Sequence, residues 1–346
     1  MAYTDIDKPS DYFNTVLYTG NDTDDHAITG VNFKPDFVWI KSRSVANNHN
    51  LYDVIRGVNK PLKCNSTASE FTRTDALKSF DSDGFTLDDD GVSDEVNNNG
   101  VTYASWNWKA GGSASSNSNG TITSSVSANT DAGFSIGTYN GSGSDNTVGH
   151  GLGVAPDMII VKCKSTAHDW VVYHSALGNA KILTLNATTV AQSATGWQST
   201  SPTSTVFSID NAANSLNQSG QSFVFYAMAS KKGYSKFGSY VGNGNVDGTF
   251  IYTGFKPAWV MIKRTDSAKN WLVLDNKINT HNPYNKELSP NLSAAEATNI
   301  RFDSLSNGFK LRLASGASNA SGGTYIYAAF AENPFVTSTG VPATAR

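Results

Sequence analysis

Pro35-Asp-Phe-Val-Trp-Ile-Lys41, Pro156-Asp-Met-Ile-Ile-Val-Lys162 and Pro257-Ala-Trp-Val-Met-Ile-Lys263 are one pattern written three times. Each runs from Pro, through one small or acidic residue and four apolar residues, to Lys. A short apolar run bounded in this way reads as a strand covered on both faces. Pro is tolerated at its start because the first residue need not donate to the ladder.

Other landmarks keep register with the three lysines. Eight residues beyond each Lys stand His49, Trp170 and Trp271, and eleven beyond stand Tyr52, Tyr173 and Leu274. Phe85, Phe207 and Phe309 follow at 44, 45 and 46 residues, each opening a short strand. Gly100, Gly220 and Gly322 lie at 59, 58 and 59, and three positions after them come Tyr103, Phe223 and Tyr325. Upstream, Tyr18, Tyr139 and Tyr240 each precede a Gly/Asn-rich turn. Offsets held this closely mark an internal repeat, which decides the architecture before anything else does.

The Pro-to-Pro spacings are 121 and 101 residues, and the surplus falls in the Ser/Gly/Asn stretch Ala110–Thr130. That composition reads as a linker. The expected organisation is an N-terminal segment and first repeat over 1–112, a linker over 113–130, a second repeat over 131–232, and a third with its tail over 233–346. The first repeat is expected to be hinged, and the second and third closely packed.

Composition supports the class. Of 346 residues only 16% are charged, against about 25% in ordinary domains, while aromatics reach 11% and glycines number 30. Ser, Asn and Gly disfavour helices and suit tight turns, and aromatics suit sheet faces. The fold expected is all-β: three tandem β-sandwich repeats of about 100 residues, jelly-roll or lectin-like. A net charge of −3 without a basic run argues against nucleic-acid binding. No apolar stretch approaches the roughly 20 residues of a spanning helix, and the first residues, MAYTDIDKPSDYF, lack the basic and apolar regions of a Sec signal.

Candidate chemistry is sparse. Cys64 and Cys163 stand at non-equivalent points of the repeat and read as buried free thiols. The six histidines show no metal-ligand spacing, and His150 reads as structural. Asp81/Asp83, Asp88-Asp89-Asp90 and Asp94-Glu95 read as solvated acidic loops, with a structural Ca²⁺ in the first repeat left open. Trp170 and Trp271 recur at one offset, as core aromatics or as platforms for a sugar face. No cofactor is called for.

Several longer blocks follow in order: Tyr12-Phe-Asn-Thr-Val-Leu-Tyr-Thr-Gly-Asn21, Phe37-Val-Trp-Ile-Lys41 with Ser79-Phe-Asp-Ser-Asp-Gly-Phe85, and Trp106-Asn-Trp-Lys-Ala-Gly111. Beyond them come Thr147-Val-Gly-His-Gly-Leu-Gly153, Tyr234-Ser-Lys-Phe-Gly-Ser-Tyr240, Tyr252-Thr-Gly-Phe-Lys-Pro-Ala-Trp-Val-Met-Ile-Lys-Arg264 and Ala329-Phe-Ala-Glu-Asn-Pro-Phe335. Together they resemble a repeat family of virion proteins in tailed bacteriophages, common in marine phages and described as a domain of unknown function. The resemblance implies a component of the virus particle, encoded among tail or fibre genes, with no defined catalytic residues. The expectation is therefore a non-enzymatic virion protein, assembled in the host bacterial cytoplasm as part of a tail fibre or appendage for host recognition. A capsid decoration protein and a carbohydrate-binding module are the alternatives. Its expected partners are other virion proteins, further copies of itself in a trimer, and a host-surface glycan, without nucleic acid or membrane insertion. Attachment through Tyr3–Phe13 and the first repeat, with the other two facing outward, completes the expectation.

Overall fold

The computed structural model describes residues 4–89, 91, 95–211 and 214–342. Two packed antiparallel sheets make up each repeat. In the first unit β1 (Phe13–Thr19), β3 (Phe37–Ser42), β4 (Asn50–Asp53), β5 (Leu62–Lys63) and β8 (Thr102–Trp108) are ordered β1-β8-β3-β4-β5. Opposite them β2 (His26–Thr29), β6 (Leu77–Asp81) and β7 (Gly84–Leu87) are ordered β2-β7-β6.

The second unit has β11 (Phe134–Asn140), β13 (Met158–Cys163), β14 (Val171–His174), β15 (Lys181–Thr184), β16 (Gln192–Ser193) and β18 (Ser222–Met228). With β9 (Ser115–Asn117) and β10 (Ser124–Asn129) they run β16-β15-β14-β13-β18-β11-β10-β9, and β12 (Asn146–Gly149) pairs with β17 (Val206–Ile209). In the third unit β19 (Ser235–Val241), β21 (Phe255–Arg264), β22 (Leu272–Asp275) and β26 (Thr324–Pro334) are ordered β19-β26-β21-β22. Its second sheet joins β20 (Phe250–Tyr252), β23 (Tyr284–Glu287), β24 (Ala297–Leu305) and β25 (Gly308–Leu311) in the order β20-β25-β24-β23. The succession first, last, third, fourth strand thus recurs as β1-β8-β3-β4, β11-β18-β13-β14 and β19-β26-β21-β22.

The tyrosines that keep register do so across strands. Tyr18 is paired with Tyr103, Tyr139 with Phe223 and Tyr240 with Tyr325. Their rings stack at 4.9, 5.1 and 4.9 Å between centroids. Each first-strand Tyr also donates its hydroxyl to a carbonyl just before the last strand: Val96, Leu216 and Ser318.

Strand alternation then assigns two cores. In β3, Val38 and Ile40 face the first unit's own sandwich, while Phe37 and Trp39 face the other way and are equally buried. Ile159 and Val161 against Met158 and Ile160 repeat this in β13, as do Val260 and Ile262 against Trp259 and Met261 in β21. The second set of residues, with Trp106, Trp108, Tyr226 and Phe330, forms one core shared by all three units. The centre of that core encloses a void of only about 20 Å³ with apolar lining, room for about one water and no ligand.

Two expectations are corrected here. The first repeat is not hinged, because each main sheet is apolar on both faces and the outer face needs cover; the other two units supply it. Nor is 113–130 a spacer. Its Ser/Asn content lies in β9 and β10, which extend the second unit's sheet through the pairings of β10 with β11 and β9. Polar residues serve there because only one face is covered, and Ser124 Oγ donates to the Gly149 carbonyl at 2.7 Å.

Candidate functional site

The repeated lysines do not mark strand ends in water. Lys41, Lys162 and Lys263 are completely buried. Lys41 Nζ donates to the carbonyls of Ser42 at 2.8 Å and Ser293 at 3.1 Å. Lys162 Nζ donates to Thr67 at 2.8 Å and His168 at 2.6 Å. Lys263 Nζ reaches Thr188 at 2.9 Å and Lys269 at 2.6 Å. Each ammonium therefore spans a seam: first unit to third, second to first, third to second. Burial lowers all three to about 8, outweighing for Lys41 the attraction of Glu95.

The residues eight beyond each Lys follow the same circuit. Trp170 Nε1 donates to the first unit's Lys63 and Ser66 carbonyls at 3.1 and 3.2 Å. Trp271 Nε1 donates to the second unit's Thr184 carbonyl at 2.9 Å, and His49 Nε2 lies 3.0 Å from the third unit's Ser289 carbonyl. Twelve beyond each Lys, a second set points to the other neighbour. Asp53 accepts from Tyr226 of the second unit at 2.8 Å, and buried Arg56 closes on the same carboxylate at 2.6 Å. His174 Nε2 meets the third unit's Tyr327 carbonyl at 3.2 Å. Asp275 accepts from Thr15 at 2.5 Å and Trp106 at 3.2 Å in the first unit. The three seams close a head-to-tail ring, the heterologous contact that is completed when the rotation closes.

A model of the family described as a domain of unknown function, DUF7483, matches residues 8–334, nearly the whole chain. The chain belongs to that family. Comparison with curated proteins and with solved structures gives no match. The DUF7483 match runs through all three units, so the family's domain spans the whole three-unit arrangement rather than one repeat.

Of the two roles open to Trp170 and Trp271, the structure places them as core aromatics, and the glycan contact is corrected. The two indoles are 0% and 1% exposed and sit at seams, where no sugar reaches them. Among the described residues Phe250 and Tyr252 on β20 and Phe335 face outward, with Lys236 Nζ 5.1 Å over the Tyr252 ring. His150 is buried and neutral: Nδ1 accepts from the Leu152 amide at 3.2 Å and Nε2 lies 3.1 Å from the Thr203 carbonyl, and burial lowers its pKa. Both cysteines are free and buried. Cys64 lies at a seam, its thiol 3.1 Å from the Pro290 carbonyl and pushed well up by burial.

The described acidic residues singled out in the first repeat are held by partners within the chain. Asp83 accepts from the Gly30 and Asn32 amides, Asp81 from Ser79 and Thr86, and Asp88 from Lys78. Glu95 accepts from Asn48 and Lys63. Among the described residues no three His, Cys, Asp or Glu side chains gather to hold a metal; Asp90 and Asp94, like Tyr3, lie outside them.

One repeated device escaped the reading of the sequence. Asn97, Asn217 and Asn319 are buried three residues before Gly100, Gly220 and Gly322. Their side-chain oxygens accept from the amides of Asn21, Ser142 and Asn243. Their amide groups donate onward, for Asn217 to the Ser144 and Asp210 carbonyls. The turn thus latched presses so closely that a Cβ on Gly20, Gly141 or Gly242 would lie 2.3–2.4 Å from a carbonyl oxygen. The signal was present as Asn-x-x-Gly at one offset, hidden among many other turn asparagines.

Proposed function

We propose that this chain is a non-enzymatic structural protein of a tailed-phage particle, associated with the tail and taking part in host-surface contact. What supports the reading is the ring: three equivalent units closed through buried seams within one chain. Buried Lys41, Lys162 and Lys263 and the Asp53–Arg56 pair serve those seams, and only 16% of the chain is charged. Such a block matches appendages built on threefold and sixfold axes, and the ordered sequence blocks point the same way. The internal threefold takes over the arrangement that a trimer of single repeats would give. Any further copies, other virion proteins and a host glycan would meet the outer faces, where Phe250, Tyr252 and Phe335 are exposed aromatics available to a sugar ring.

Proteomics of purified particles followed by cryo-electron microscopy tests this reading. Density for the three-unit ring at the tail is the expected result. Density on the head surface replaces the tail role by capsid decoration, and absence of the protein from particles overturns the proposal.

A further inference from the structure

Two of the three seams are closed by a histidine, and both involve the third unit. His49 stands where the other units have Trp170 and Trp271, and His174 where they have Asp53 and Asp275. At the first–third seam, Trp39 Nε1 donates to His49 Nδ1 at 2.9 Å, and an indole nitrogen can only donate. The His49 proton therefore sits on Nε2 and is given to the Ser289 carbonyl at 3.0 Å. At the second–third seam the Ala176 amide donates to His174 Nδ1 at 3.2 Å, which leaves Nε2–H for the Tyr327 carbonyl at 3.2 Å. Both rings are fully buried. A second proton on either ring would set an N–H against an N–H in a buried place, and the imidazole must then leave its socket.

We propose that the ring is built to open at its third unit on acidification, with His49 and His174 as the groups that take up the protons. Burial is the first cause holding both rings neutral below the ordinary range, His174 down to about 4. The Lys41 ammonium on β3 adds to this at His49. Asp157 opposes it at His174. From the third unit, Tyr327 presents its carbonyl, its phenol being held neutral to about 12. At the first–third seam Asp275 lies beyond Trp106, and burial raises its pKa, so that acid does not loosen it. The Arg43–Glu296 ion pair, at 2.7 Å, also crosses that seam.

The first–second seam carries Trp170 on two carbonyls and Tyr226 on the Asp53–Arg56 pair, with no histidine among these groups. It stays closed. A histidine neutral to about 4 when folded and titrating at 6.5 when released costs about 300-fold in the closing equilibrium once the pH is below both values.

Hydrogen exchange of the full chain at pH 7.5, 5.5 and 4.5, corrected for intrinsic rates, tests the proposal. Amides around residues 284–293 and 324–330 should lose protection, by about 80-fold at pH 4.5, before those around 51–56 and 222–228. Simultaneous loss at all three seams, earlier loss at the first–second seam, or loss confined to the His150 neighbourhood at 203–206 overturns it. His49→Gln with His174→Asn should abolish the pH response. Should that double variant not fold, imidazole NMR titration of the native chain decides: both rings titrating well below 6.5 supports the proposal, and either titrating near 6.5 overturns it.

Discussion

Replacing Trp170 with Ala should destabilise the whole chain, not merely the second unit. The indole is completely buried in the shared core and its Nε1 serves the Lys63 and Ser66 carbonyls of the first unit. Burying an aromatic of about 200 Å² at about 25 cal/mol/Å² gives about 5 kcal/mol, within the range measured for Trp-to-Ala in cores. Losing the N–H strands two seam carbonyls and adds roughly 1–3 kcal/mol if water cannot reach them. Trp170→Phe separates the two effects, since it keeps most of the apolar area and should cost only the hydrogen-bond part. Urea unfolding followed by far-UV circular dichroism measures both, with midpoints compared at constant slope. A loss below about 1 kcal/mol for Trp170→Ala would refute the placement of this residue in a load-carrying seam.

Two further outcomes follow from the same geometry. Folded Lys41, Lys162 and Lys263 release their protons near pH 8, whereas unfolded lysines keep theirs to 10.5, so unfolding takes up protons between these values and stability should rise with pH across that window. Above pH 10 the trend should reverse, because burial holds the hydroxyls of Tyr139, Tyr226, Tyr234 and Tyr240 protonated while the unfolded phenols ionise; urea midpoints from pH 7 to 11 show whether the optimum lies between. Asn217→Ala leaves the Ser142 amide and the Ser144 and Asp210 carbonyls without their partner and should cost about 3 kcal/mol, with Asn97→Ala and Asn319→Ala similar, measured by thermal unfolding.

The apolar runs ending in Lys41, Lys162 and Lys263, and the tyrosines that keep register with them, were legible because strand periodicity and cross-strand pairing are local. What covers the second apolar face was not. Alternation says that Phe37 and Val38 face opposite ways, and nothing in either residue says that the cover is another repeat. The offset of Trp170 and Trp271 was visible, yet His49 at the same offset hid the common role, which is hydrogen bonding to a neighbour's carbonyl. The Ser/Asn content of 113–130 looks the same in a solvent-edged strand as in a free linker, so composition misplaced β9 and β10. That Lys41, Lys162 and Lys263 are buried is not legible in the sequence, since lysine is rarely buried; only the three-dimensional seam supplies the carbonyls that make burial tolerable.

The account stands on the shared core, and calorimetric unfolding of the full chain at pH 8 tests it most directly. Three units closed through one core should melt in a single transition, with a van't Hoff enthalpy equal to the calorimetric one at about 240 kcal/mol near 60 °C for 346 residues. Separate transitions, each with a van't Hoff enthalpy of about one third of that total, would mean that the repeats fold as independent beads, and would contradict the ring.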